Sequence, residues 1–354
     1  MSPIIEPTEL FDIVIPLFKL RWNTCAVLEG LTHHYSPRAI HIITPVKEVE
    51  PLAQIAAGRA IAPLQIHPEE AFFQPVGLSK NSICAELDLG KSLYTPGWFY
   101  QQLLKLGAFE GIPGLSEWYL IWDSDLLPVA TWPIFTNKLG ELKHTFALLQ
   151  HKSWGNPSIV SKWEIWIDKV LGVPAITDPT ATFIPHHMWL KQAHLKSFGQ
   201  QIQQFFESDD HWLRLMIRSA NQFGTFSEYW SYASWVASQT PDDLSFHSYD
   251  LYGTTTERFF DDGTGFFSAT LRRYLEKEEQ TGQTGQGALF PSYVEIDDFI
   301  RAAYGTADLP SSLSFESSPR HLKKDKENMH IEEVRSRWNP RSVASFKDGI
   351  YQHN

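Results

Sequence analysis

The chain has 354 residues, 43% hydrophobic and 14% aromatic, enough to bury a sizeable core in one large domain or two ordinary ones. Its 30 Lys and Arg against 41 Asp and Glu leave a formal charge of −11, which excludes a broad basic footprint for nucleic acid. Cys25 and Cys84 are the only cysteines, so no disulfide framework is implied and a reducing compartment fits best.

The N-terminus carries Glu6, Glu9 and Asp12 and lacks the basic start and apolar run of a signal peptide. No apolar stretch reaches the roughly 18 residues of a membrane span, so the expected location is cytoplasmic. Phe11-Asp12-Ile13-Val14-Ile15-Pro16, apolar, β-branched and closed by proline, predicts a first strand. A helix is predicted from Trp22 to His34, and Ile40-His41-Ile42-Ile43-Thr44-Pro45 repeats the strand-then-proline pattern. A second helix, Val46 to Gly58, leads to a third strand, Ile61 to Ile66. Strands alternating with helices predict an α/β fold with a central, mostly parallel sheet flanked by helices. Ligands of such sheets gather at the carboxyl ends of the strands, where Pro16, Thr44 and Asp123 fall.

Thr95 to Gly107 is the clearest helix: Thr95 caps it, Pro96 suits its first turn and Gly107 its exit. Phe99, Leu103 and Leu106 share one face, and Gln101 and Lys105 share another. Trp118-Tyr119-Leu120-Ile121-Trp122 then reads as a buried strand running into Asp123-Ser124-Asp125. Beyond it, strands are predicted near 129–135 and 142–148, and helices over about 158–171, 187–207, 210–220 and 226–238. These form a further layer on the same sheet rather than an independent domain. Residues 278–288 read as an exposed loop, and 305–354 as a polar, mobile tail with Ser311, Ser312 and Ser314 early and Lys323-Lys324-Asp325-Lys326 later.

Two carboxylates one residue apart at a strand end can act together on a hard cation. Mg2+ and Mn2+ prefer oxygen ligands and share their shell between carboxylates, water and substrate phosphates. Such an ion neutralises a departing diphosphate as a Lewis acid. The plain alternative is a loop bearing two solvated acids.

With these pieces in place, the sequence resembles the GT-A superfamily of nucleotide-sugar glycosyltransferases, in a branch known mainly as a domain of unknown function. The matching segments are Phe11 to Pro16, Gly97 to Leu106, Tyr119 to Pro128, Pro185-His186-His187-Met188 and Phe226-Ser227-Glu228-Tyr229. The resemblance implies a Rossmann-type, GT-A-like domain over 1–304, with a nucleotide-sugar half (1–135) and an acceptor-facing half (136–304). It also implies Mn2+ or Mg2+ as cofactor, with a UDP- or GDP-sugar donor and a hydroxyl-bearing acceptor. Asp123 and Asp125 carry over as metal-site residues, Asp125 being also a catalytic candidate. The donor base and ribose would lie near Pro16, Leu17 and Thr44, and the diphosphate near Gln101, Lys105 and Asp123. Trp122 departs from the small or aliphatic residue usual before the first acid.

Either His186 or His187 could complete the metal shell, with His187 favoured, or serve as a core histidine. Glu228 could be the general base for the acceptor hydroxyl, an acceptor-binding acid, or a helix-start acid. Lys105 could meet a phosphate or solubilise an exposed helix face. Asp261 to Gly265 reads as a turn or a closing loop. Trp98, Trp154 and Trp189 could stack on a sugar or simply pack. Two other functions compete: a haloacid-dehalogenase-like phosphatase with Asp123 as nucleophile, and a silent carbohydrate-binding protein of the same fold.

Overall fold

The structure is a computed structural model, described here for residues 10–21, 23–88, 90, 94–138, 141–150, 157–178, 181–248, 257–259, 290–304 and 312–315. The expected loops at 261–265 and 278–288, Trp154, and the tail beyond 315 lie outside these residues.

The chain opens with β1 (Asp12–Pro16), α1 (Thr24–Tyr35), β2 (Ala39–Thr44), α2 (Val46–Ala56) and β3 (Leu64–Pro68). Next come α3 (Lys80–Cys84), α4 (Pro96–Leu106), α5 (Ala108–Gly111), β4 (Trp118–Trp122), β5 (Leu126–Pro128), β6 (Phe135–Lys138) and β7 (Glu141–Gln150). The remainder comprises α6 (Pro157–Trp166), β8 (Ala181–Thr182), β9 (His187–Lys191), α7 (Gln192–Phe206), α8 (Trp212–Phe223) and α9 (Glu228–Gln239). β10 (Leu244–Ser248), β11 (Glu257–Phe259), α10 (Tyr293–Tyr304) and β12 (Ser312–Phe315) complete the strands and α-helices among the described residues.

The central sheet runs β3-β2-β1-β4-β9, with the first four strands parallel and β9 antiparallel. The expected α/β fold with a mostly parallel sheet is therefore present. Ile13, Val14 and Ile15 are buried whichever way they point, as expected of a central parallel strand covered on both faces. α4 is set as its sequence dictates: Thr95 Oγ1 accepts from the Trp98 amide at 3.3 Å, and Phe99, Leu103 and Leu106 are buried. Two smaller sheets, β10-β7-β6 with β8 paired antiparallel to β7, and β11-β12-β5, complete the strand pairing among the described residues. No helix among the described residues is long and apolar enough to cross a membrane.

Three predicted segments differ. The strand expected near 129–135 is irregular from Val129 to Ile134, between β5 and β6, where Pro133 has no N–H to give a ladder. The helix expected from 187 begins at Gln192, because His187–Lys191 pairs antiparallel with β4, from Trp122↔His187 to Trp118↔Lys191. The expected tail contributes β12, whose Leu313 is fully buried and pairs with Leu127 of β5. A Ser-rich composition hid that alternating strand.

At the amino end of β1, the fully buried Asp12 carboxylate is held by Arg38, whose Nε donates at 2.8 Å, and by the Ser116 amide at 2.9 Å. Burial would raise this carboxyl, but the His41 ring 3.7 Å away and hydrogen bonds from Arg38 and Ser116 outweigh it and hold the group well below the usual carboxylate range. The contribution is present above an unfolded value of about 3.9 and lost as pH falls through the folded value. Asp12→Asn is expected to cost on the order of 1–3 kcal/mol at neutral pH, with the deficit shrinking below about pH 4. Urea denaturation across pH checks this, and a pH-independent deficit would contradict it.

Candidate active site

From β1 the chain builds outward through β2 and β3, then returns to place β4 on the other side of β1. Strand order therefore reverses between β1 and β4. The carboxyl ends at such a switch point leave a crevice that no crossover helix covers. A cavity of about 570 Å³ lies there, lined by Pro16 and Leu17 after β1, Ile43 of β2, Gln101 and Lys105 of α4, and Asp123, Ser124 and Asp125 after β4.

Asp123 stands one residue past Trp122, and the β4–β9 ladder extends to it through its amide, which donates to the His186 carbonyl at 2.9 Å. That register brings His186 beside Asp123, with Nδ1 3.0 Å from Oδ2. An ionised carboxylate only accepts, so Nδ1 carries the proton. His186 holds a left-handed backbone, φ +64°, which side-chain-bearing residues adopt only where their surroundings impose it.

The other oxygen of Asp123 meets two elements. Lys105, on the last turn of α4 and 4% exposed, places Nζ 2.6 Å from Asp123 Oδ1 and 2.7 Å from Glu228 Oε1. Tyr229 donates its hydroxyl to the same Oδ1 at 2.9 Å, and its ring lies under the ammonium at 4.4 Å. Glu228 and Tyr229 open α9, where Ser227 Oγ accepts from the Trp230 amide. The Glu228 amide donates to Gln102 Oε1 at 2.9 Å, fastening α9 to α4. Four elements thus converge on one ion-pair cluster.

Burial opposes charge on both partners. At Asp123 the nearby Lys105 charge and hydrogen bonds from His186 and Lys105 overcome it, holding the carboxyl well below its usual range. At Lys105 the Asp123 and Glu228 carboxylates overcome it and raise the ammonium above its usual value. Burial, together with the charges of Asp123 and Glu228, keeps the Tyr229 hydroxyl protonated far above its usual range.

The structure gathers Pro16, Leu17, Gln101, Lys105, Asp123, Asp125, His186 and Glu228 around one cavity. His187 is not among them. Its register with Trp122 puts both side chains on the opposite face, and its ring packs 4.9 Å from Trp122 and 4.3 Å from Trp132. His187 is 2% exposed, and burial pushes it down to about 3, so it is neutral. The histidine facing the cavity is His186. Thr44 is likewise buried and off the lining, because strand alternation turns Ile43 toward the cavity instead. Lys105 is no solubilising residue. Trp189 is a core residue donating to the Ile134 carbonyl at 2.9 Å, whereas Trp98 lines the cavity, stacked on Tyr94 at 3.8 Å.

Two participants had escaped the sequence. Gln102 lies three residues before Lys105, a spacing that shares a helix face and was legible. Its Nε2 is buried with no acceptor among the described residues. Arg21, whose Nη1 is 3.5 Å from Asp125 Oδ2, sits in the loop between β1 and α1, where no periodicity marks it.

The donor set bears on the expected Mn2+ or Mg2+. Each carboxylate oxygen offers about two lone pairs. Asp123 Oδ1 uses both on Lys105 and Tyr229, while Oδ2 uses one on His186. Asp125 adds a second carboxylate, 21% exposed in the cavity wall. Among the described residues, no three His, Cys, Asp or Glu side chains are grouped to hold a metal by themselves. Asp123 and Asp125 therefore fit an ion whose shell is completed by phosphate and water, as is usual for Mg2+, and not a protein-only cage.

The chain belongs to DUF6492, a family of unknown function, whose model matches residues 12–279. No curated protein matches it. Among solved structures it is similar to mouse xyloside xylosyltransferase 1 in its apo form, with 10% identity, 70% of this chain and 87% of that chain covered, and a TM-score of 0.39. It is similar also to the apo form of the glycosyltransferase GlyE from Streptococcus pneumoniae TIGR4, at 11% identity, 95% and 64% coverage, and TM-score 0.32. A third is glucosyl-3-phosphoglycerate synthase from Mycobacterium tuberculosis, solved with Mn2+, uridine diphosphate and glucosyl-3-phosphoglycerate, at 13% identity, 68% and 70% coverage, and TM-score 0.26. Scores at this level mark distant resemblance.

Removing one partner of a buried cluster strands the others. Lys105→Met is expected to cost about 3–5 kcal/mol. Asp123's share is present above about pH 4 and lost as pH falls through its lowered value. Lys105's share is present below about pH 10 and lost as pH rises through its raised value. Urea denaturation should therefore give a deficit that is flat between about pH 5 and 9. A variant as stable as wild type would contradict the cluster.

Proposed function

We propose that the chain is a glycosyltransferase of GT-A-like fold, of hexosyltransferase type, moving a sugar from a UDP- or GDP-sugar to a hydroxyl of a small molecule or glycan. The observation that carries this reading is the switch-point cavity with Asp123-Ser124-Asp125 at the end of β4. In this reading residues 1–135 serve the donor and 136–304 the acceptor, in one domain acting in the cytoplasm. Both cysteines are free thiols, in keeping with that location.

Charge supports an anionic ligand that arrives with a cation. The wall carries Lys19, Arg21, Lys80 and Lys105 against Glu69, Asp123, Asp125 and Glu228, four basic groups for four acids. A diphosphate entering this balanced wall brings negative charge of its own, and Mn2+ or Mg2+ held by Asp123 and Asp125 would neutralise it as a Lewis acid. The chain's own groups do the remainder. Pro16, Leu17 and Ile43 give the nucleoside an apolar seat, and Gln101 and Gln102 offer amides to its oxygens. Gln102 Nε2, a buried donor without an acceptor among the described residues, favours an oxygen-rich ligand. Glu228 accepts the proton of the attacking hydroxyl.

The phosphatase reading needs an Asp123 oxygen poised to attack phosphorus. Oδ1 is saturated by Lys105 and Tyr229 and Oδ2 is bonded to His186, which disfavours it. A silent binding protein is separated by assay.

A thermal-shift panel of UDP- and GDP-sugars with and without MnCl2 tests the reading, since a ligand of the native state raises the melting point by mass action. At least one nucleotide sugar should raise it, more so with manganese, and Asp125→Ala should abolish the manganese-dependent part. In turnover, Asp125→Ala is expected to lose about 100-fold, or ~2.7 kcal/mol of barrier. A Mn2+ response undiminished in Asp125→Ala, or phosphate release from a generic monoester, would count against it.

A further inference from the structure

An ammonium has three N–H donors. Those of Lys105 have three partners: Asp123 Oδ1 at 2.6 Å, Glu228 Oε1 at 2.7 Å and the Tyr229 ring at 4.4 Å. Lys105 nevertheless lines the cavity where a diphosphate would lie. With the Tyr229 ring covering a third side and anchored through its hydroxyl to Asp123, the ammonium bonds a phosphate oxygen by exchanging one of its two carboxylates. Asp123 is the harder one to release, because Tyr229 and His186 fix its carboxylate from two further sides. The Glu228 side chain is held, among the described residues, by Lys105 alone.

We propose that the Lys105–Glu228 ion pair is a latch that the donor opens: a phosphate oxygen of the nucleoside diphosphate displaces Glu228 from Lys105, and the released carboxylate becomes the base for the acceptor. This rests on the nucleotide-sugar reading and adds an order of events to it. Before the donor binds, Glu228 is engaged by the lysine at 2.7 Å. Afterwards the lysine charge faces the leaving group and Glu228 is unpaired beside the acceptor. The acceptor oxygen then forms its bond to the anomeric carbon while the bond from that carbon to the diphosphate oxygen breaks. The electron pair leaves on the phosphate, and the hydroxyl proton goes to Glu228.

The latch makes a prediction opposite in sign to that for a fixed structural bridge. Glu228 competes with phosphate for Lys105, so weakening the competitor should tighten the nucleotide. UDP and GDP are titrated calorimetrically, in MnCl2, into wild type, Glu228→Gln and Lys105→Met, each checked for native circular dichroism. Whichever nucleotide wild type prefers should bind Glu228→Gln about tenfold tighter and Lys105→Met at least tenfold weaker. Glu228→Gln binding that is unchanged or weaker overturns the latch while leaving the nucleotide-sugar reading intact. Failure of wild type to bind either diphosphate overturns the reading and the latch with it. Should Glu228→Gln fold poorly, a crystal structure of wild type with the preferred diphosphate decides. A phosphate oxygen on Nζ with Glu228 moved away is expected, and an unbroken 2.7 Å pair overturns the latch.

Discussion

The cluster depends on one buried positive charge. Lys105 draws Asp123 from the central sheet and Glu228 from α9 onto a single ammonium supplied by α4. A lone carboxylate at that depth would be costly, and so would a lone lysine. Together, with Tyr229 and His186 bonded to two further acceptor positions of Asp123, they compensate one another's charge before any ligand enters. Charge arranged in advance lowers the reorganisation that a reaction demands of its surroundings.

The sheet explains why these residues meet. Reversal of strand order beside β1 leaves the carboxyl ends of β1 and β4 open, and the loops after Pro16 and Trp122 both face that opening. β9, antiparallel to β4, then delivers His186 to Asp123 by register alone. Its neighbour His187 is carried to the opposite face, into a pocket of tryptophans.

Much of this was legible beforehand where local periodicity and tertiary role agree. Phe11 to Pro16 and Trp118 to Trp122 announce buried parallel strands by their unbroken apolar runs. Thr95 and Pro96 announce the start of α4 by capping chemistry, and Asp123 and Asp125 stand out against the hydrophobic strand before them. The misses share a cause: each depends on pairing between distant segments. His187–Lys191 could as well have begun the helix that follows, and only the partner strand β4 makes it a strand. The choice between His186 and His187 turned on a register that no single segment contains. Lys105 looked like a helix-face lysine until α9 was placed against α4, and β12 was masked by the serines that surround Leu313.

The central claim is that the bond broken joins the anomeric carbon to the diphosphate, rather than any bond to phosphorus. Slow donor hydrolysis in 18O-labelled water, analysed by mass spectrometry, measures this directly, since the label marks the atom that water attacks. The account predicts no label in the nucleoside diphosphate. Label in the nucleoside diphosphate would contradict it.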